Sequence, residues 1–377
     1  MSDSNSPAHF HNLPPVPPQY TNDEIDLREL FAALWQGKLT IIANGLLCGV
    51  LAIIYALTAQ EWWQSKATVT LPQIQDYSEY RLQVKQFDPI FTQTSEQGVS
   101  VTSEDLTELI LREEIFKAFI REFNSTSNKR NFLLQSETFN QYKQSLDLDP
   151  SDEDNDRRLF GIWFEHITIH YPEKNDIEVV ELSFQATTKK SSFAMLTNYL
   201  NFIQDKVRSD AVQNLQVIVN SQAQSLRQQH IALSTQAKQA LEVETKRAEF
   251  ALGIAQAAKI TKPVQNLGEG EIFSINMGSA AIAAKVKALN SIEDVMVIEP
   301  RLQTIRAKLT LLNNTKIKQD VAFDSYQLLE EPSLALNREA PKRTLIVILG
   351  GLLGGMLGVA MVLIRFAFTK ESGQETV

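Results

Sequence analysis

Two runs without charge stand out in the hydropathy pattern. One extends from Leu39 to Ala59, the other from Thr344 to Ile364. As helices each is about 31 Å long, the thickness of a bilayer core. In the second run Gly350, Gly354 and Gly358 recur every fourth residue, with Gly351 and Gly355 beside them. The first run carries Gly45 and Gly49 at the same interval. Such spacing puts small residues on one helical face, where another helix can approach closely. The first run is too long, and too far from the start, for a cleavable signal, and no Ala-x-Ala site follows it.

The pattern between the runs predicts an α+β domain. Ala67–Leu71 reads as a short strand ending at Pro72. Two further strands alternate strictly. Ile167, Ile169 and Tyr171 oppose His166, Thr168 and His170; Val180, Leu182, Phe184 and Ala186 oppose Glu181, Ser183 and Gln185. Tyr326–Leu329 supplies a last strand, and the whole is expected as a small mixed sheet. Helical periodicity links Leu106, Leu109, Ile110, Phe116, Phe119, Ile120 and Phe123, with Thr102 or Ser103 as cap. From Ser192 to Lys259 the chain has no proline and one glycine, Gly253. This predicts a single helix about 100 Å long, with Ser191 as cap. Its first part is amphipathic. Beyond about Gln213 the apolar positions thin to a narrow seam, which needs partners from its own chain or from neighbouring subunits. Pro263, Gly268 and Gly270 then reverse the chain into a second helical stretch, Ala280–Leu312, with Pro300 as a restart.

These elements divide the chain into a polar, Pro-rich tail (1–20), a short helix (21–38) with Thr21 and Glu24 as a capping box, a first span (39–59), a large domain (60–343), a second span (344–364) and a short tail (365–377). Within the large domain an α/β base (about 60–210 and 320–343) carries an extended helical hairpin (about 211–319). Trp62 and Trp63 follow the first span and suit a membrane–water interface.

Charge and composition narrow the function. The net charge is −9, which argues against a surface built to grip nucleic acid. The one cysteine, Cys48, lies in the first span, so the domain folds without an internal disulfide. Basic residues balance across the spans: Arg28, Lys38, Arg365 and Lys370 on the terminal side, Lys66, Arg338, Lys342 and Arg343 on the other. Orientation is therefore not set by charge. Candidate chemistry is thin. Asp152, Asp154 and Asp156 alternate as in a calcium loop, but Arg157 stands where that loop needs glycine and Trp163 where it needs glutamate. A solvated turn competes with calcium binding there. His166 and His170 share a strand face, without a third ligand close in sequence. His9 and His11 lie in the tail. No phosphate-binding loop, nucleophile elbow, cofactor signature or paired zinc motif occurs.

The residues resemble the Wzz-type polysaccharide co-polymerases, the O-antigen chain length determinants, and within them the FepE-like branch. Asn22-Asp23-Glu24-Ile25-Asp26-Leu27 with Leu34-Trp35 looks like the family's segment before the first span. Ala257-Ala258-Lys259-Ile260-Thr261-Lys262-Pro263-Val264 is similar to its turn after the long helix, with Lys259 where the family has glycine and Thr261 where it has lysine. Around the second span Pro332, Pro341, Lys342, Gly354, Gly355, Met356 and Gly358 fall at the positions of the family motif. Ala335, Ala340, Val359 and Ala360 depart from it. The resemblance implies cytoplasmic termini, a periplasmic domain and a two-pass inner-membrane protein forming a ring-like homo-oligomer. It implies no enzymatic activity and no cofactor. The ring would set the modal length of polymer made by a Wzy-type polymerase from lipid-linked repeat units, with lipid-linked polysaccharide as a further ligand. Competing readings are a regulator of another surface polysaccharide such as enterobacterial common antigen, a periplasmic adaptor of an export complex, and an anchored glycan hydrolase. The short stretch after Arg365 argues against the capsule-type relatives with a fused kinase.

Overall fold

The computed structural model describes residues 27–94, 100–101, 103–146, 152–173, 178–264 and 272–372. The tail histidines, the Thr21/Glu24 box, Thr102, Gly268 and Gly270 lie outside the described residues. Two compact units result: Met1–Glu61 with Arg338–Val377, and Trp62–Asn337.

The smaller unit is built from three helices, Leu27–Gln36, Lys38–Thr58 and Arg343–Ser372. The second and third are long and apolar enough to cross a membrane. Their outer faces leave Leu46, Leu47, Leu352 and Leu353 exposed, as a lipid-facing surface requires. Gly37 separates the first two helices. A Cβ there would lie 2.5 Å from Val362 Cγ2, so the close approach of the third helix depends on glycine.

In the larger unit four strands follow the order Ile167–His170, Val179–Ala186, Trp62–Thr70, Gln327–Glu330. Every described pairing among them is antiparallel, where a mixed sheet was expected. The connections explain this. Val179–Ala186 runs toward the Trp62 end of the first strand. The long helix then carries the chain away and the return limb brings it back in the same direction. The last strand therefore also opposes the first. Ala67, Val69, Val180, Leu182 and Phe184 are buried on one face, as their alternation predicts. That face is covered by Arg112–Asn124, Thr126–Gln135, Glu153–Glu165 and the start of the long helix. Tyr199 on the long helix donates from its hydroxyl to Phe123 O at 2.6 Å.

The helix expected over Leu106–Phe123 is two, Glu104–Glu108 and Arg112–Asn124. Leu111 between them is extended (φ −75°, ψ 124°). The alternating aspartates serve a helix start: Asp152 caps Glu153–Glu165 by accepting from Asp154 N at 2.9 Å. Asp156 pairs with Lys143 and Asp154 with Arg157. Among the described residues no three His, Cys, Asp or Glu side chains converge as metal ligands.

The long helix spans Lys189–Ala257, 69 residues. Its cap is Thr188. Ser191, expected as the cap, closes a capping box three positions later: Ser191 N donates to Thr188 Oγ1 at 3.1 Å, and Thr188 N to Ser191 Oγ at 3.0 Å. At the far end Lys259 adopts φ +52°, while Ile260 N donates to Ala255 O at 2.9 Å. This is the left-handed helix stop that favours glycine. We expect Lys259→Gly to stabilise the hairpin by about 1 kcal/mol, read as a higher denaturation midpoint. The return limb comprises Gly278–Asn290, a 3₁₀ turn at Val295–Val297 and Arg301–Asn314, with Pro300 at the restart. Leu302 and Val295 pack on Ala237, and Ile282 on Ala251 and Ala255. Small residues on the long helix thus let the limb approach.

Candidate functional site

The two candidate membrane helices form a pair seamed by glycine. The ladder predicted on the second span faces the first. A Cβ at Gly354 would lie 2.6 Å from Asn44 O and 2.9 Å from Gly45 Cα. One at Gly358 would lie 2.7 Å from Ile41 Cα, and one at Gly350 would collide with Ala52 Cβ. Gly354 and Gly358 are buried. The row they meet is Ile41, Gly45, Cys48 and Ala52, a contact row at helical spacing. A Cβ added at Gly49, Gly351 or Gly355 would meet nothing within 4 Å, although Gly351 O and Gly355 N lie 3.8 and 3.9 Å from where a Gly45 Cβ would be. The small-residue pairs of both helices therefore split between the seam and the outside. Asn44, the polar residue of the first span, donates to Thr40 O at 3.1 Å.

The motif residues around the second span separate in the same way. Met356 is 70% exposed on the outer face. Lys342 is exposed and Pro341, after a cis peptide bond, half-buried. Pro332 is half-buried in the larger unit, beside Ser333, whose carbonyl accepts from Ser65 Oγ at 2.7 Å. Sequence reasoning missed Arg343. Its Nε donates to Ala56 O at 2.9 Å, at the carbonyl end of the first span, and its Nη2 to Glu61 at 2.8 Å. Arg338 joins Glu61 at 2.7 Å. A cation at a helix C-terminus is favourable. The signal was invisible because Glu61 and Arg343 lie at opposite ends of the chain's large domain.

Trp62, expected at a membrane interface, is buried instead. It stacks on His166 with centroids 3.7 Å apart and meets Trp163 edge-on at 5.4 Å. Tertiary aromatic packing outweighs its position next to the span. Trp63 is half-buried beneath Lys189 Nζ, 4.6 Å from its ring centre. His166 Nδ1 donates to Gln185 Oε1 at 2.9 Å. Burial holds its pKa below the ordinary value, against the smaller opposing effects of Gln185 and Glu165. Neutral His166 is therefore the folded form. The unfolded chain binds the proton more readily as pH falls below about 6.5. Stability is full above that value and is lost as pH falls through the folded pKa. A denaturation midpoint that drops more between pH 7 and pH 5 in the parent protein than in His166→Gln is the expected result.

Beside the long helix a cleft of about 690 Å³ is lined by Asp105, Glu108, Glu114, Glu122 and Asp210. Three of these carboxylates are committed to ion pairs: Glu114 to Lys117, Glu122 to Arg121 and Asp210 to Lys206. Other buried polar groups are structural. Lys129 donates to Ile167 O at 2.9 Å, and burial lowers its pKa. Gln204 accepts from Ser325 N at 3.2 Å and donates to Phe323 O at 2.6 Å, tying the return limb to the long helix.

Residues 23–123 match the family model described as Wzz, chain length determinant protein. The Escherichia coli (strain K12) protein named ferric enterobactin transport protein FepE is 26% identical, over 97% of this chain and 95% of its own. The chain length determinant protein of Salmonella typhimurium (strain LT2) is 25% identical, over 92% and 93%. A solved full-length bacterial polysaccharide co-polymerase superposes with a TM-score of 0.52 at 23% identity, over 92% of this chain and 99% of that one. That last likeness is one of fold. In residues 23–123, and along nearly the whole length of these relatives, the chain is thus similar to the Wzz chain length determinants.

Proposed function

We propose that this chain is a non-catalytic, homo-oligomeric regulator of polysaccharide chain length in the bacterial inner membrane. It crosses the membrane twice, with both termini in the cytoplasm and residues 60–343 in the periplasm. It sets the modal length of O-antigen that a Wzy-type polymerase builds from lipid-linked repeat units. The observation that carries this reading is the combination of a family match before and after the first span with a 69-residue helix and its return limb. That helix leaves Val217, Ile231 and Phe250 more than 60% exposed. Exposed apolar positions on a helix this long call for neighbouring subunits, as in a ring.

Deleting the gene and resolving lipopolysaccharide by gel electrophoresis tests the proposal. Loss of the modal cluster, restored by the intact gene, is expected. An unchanged ladder, in a strain that depends on this copy, would refute it. The name of the first relative adds a control. If deletion instead impairs growth on ferric enterobactin and leaves the ladder intact, a transport role replaces the regulatory one.

A further inference from the structure

Two surfaces of opposite charge lie at the same level of the long helix, on opposite sides of it. The first is the acidic cleft, where Val217 is 66% exposed. Asp105 and Glu108 are exposed at it and have no ion-pair partner among the described residues. The second is the lower end of the return limb. Residues 301–318 contain Arg301, Arg306, Lys308, Lys316 and Lys318, and no carboxylate. Arg301 is held by Glu299, and Lys308 by Thr92 O. The side chains of Arg306, Lys316 and Lys318 are exposed, without an acidic partner among the described residues.

The packing fixes their relative height. Leu302 lies against Ala237 and Leu233, and Phe323 O accepts from Gln204 and Arg208. The limb therefore descends antiparallel to the helix. Residues 319–322 sit beside Val212, so Lys316 and Lys318 pass just above that level. The cleft occupies the same level, through Asp210, Asn214, Val217 and Ser221. Val212, Leu215, Val219 and Leu226 form the buried row of this helix segment. At about 100° per residue, the cleft row and the row that faces residues 319–322 (Asp205, Arg208, Ser209 and Val212) point in roughly opposite directions.

We infer that the acidic cleft of one copy receives the Lys316–Lys318 end of the return limb of the next copy. A contact from one side of a subunit to the opposite side of its neighbour is head-to-tail and repeats around a ring. Rotation about an axis along the long helix keeps donor and acceptor level. Opposite charge steers the approach, and Val217 supplies apolar area beneath it. This rests on the homo-oligomer proposed above and specifies its contact.

Charge reversal on the full chain in mild detergent tests it, with oligomer mass read by light scattering. Asp105→Lys with Glu108→Lys, or Lys316→Glu with Lys318→Glu, lowers the mass at least twofold. Combining all four restores it. A reversal pair that keeps the parent mass, or a combination that does not recover, overturns the contact. A second readout guards against variants that fold poorly. Glu108→Cys with Lys316→Cys, in a Cys48→Ala background, forms disulfides on oxidation that climb beyond the dimer on a non-reducing gel. No product, or a product that stops at the dimer, also overturns it. If the parent protein itself is monomeric, the oligomer of the proposed function fails; a parent oligomer indifferent to these charges sinks the contact alone.

Discussion

Replacing Gly354 and Gly358 together with leucine is expected to separate the two membrane helices. At Gly354 the added carbon meets backbone, Asn44 O at 2.6 Å and Gly45 Cα at 2.9 Å. At Gly358 it meets Ile41 Cα at 2.7 Å. Backbone cannot rotate aside as a side chain can, so the helices must move apart. Overpacking costs about 1–3 kcal/mol per site, so the pair loses on the order of 2–6 kcal/mol. Association within a bilayer rests on close packing rather than on the hydrophobic effect, which makes this loss decisive. The chain carries its own reporter. Cys48, its one cysteine, lies in the seam, with Cβ 2.6 Å from the position of a Gly354 Cβ. Maleimide labelling of Cys48 should accelerate several-fold in the double variant. Gly351→Leu with Gly355→Leu is the matched control, because a Cβ added there would meet nothing within 4 Å. Equal labelling in the two double variants would contradict the seam.

The second large effect lies in the aromatic cluster of the larger unit. Trp163 is fully buried and meets Trp62, Phe139 and Tyr142 edge-on, with centroids 5.4, 5.4 and 5.6 Å away. Trp163→Ala removes the centre of that cluster and should cost about 3–5 kcal/mol. Its indole Nε1 is buried without a hydrogen-bond partner among the described residues. Trp163→Phe deletes that orphaned donor together with some volume, so it should cost clearly less than alanine. Circular dichroism during urea unfolding would order the three proteins: parent, phenylalanine, alanine. A phenylalanine variant as unstable as alanine would show that indole volume, not the orphaned donor, dominates.

What could be read from the sequence follows from range and repetition. Both spans, the long helix and the Gly350–Gly354–Gly358 ladder are long patterns set by composition and a fixed period, and local chemistry was enough to find them. Which way the ladder faces needed the partner row on the first span, far away in sequence. The short helix Thr126–Gln135 has weak periodicity, and its position comes from packing on the sheet, Phe132 against Phe184. Trp62 was misread because adjacency to a span is a local cue, whereas its ring is claimed by His166 and Trp163, a hundred residues on. Lys259 is the reverse case. The family pattern has glycine there, and the φ of +52° gives the physical reason.

The regulatory account is tested most directly by making this chain the sole regulator in a strain that lacks its own. Chain-length distribution and total repeat units on the surface would both be measured. A non-catalytic ring predicts that the modal length shifts to a value set by this chain, while total repeat units stay nearly constant. A change in total polymer without a new mode would contradict it.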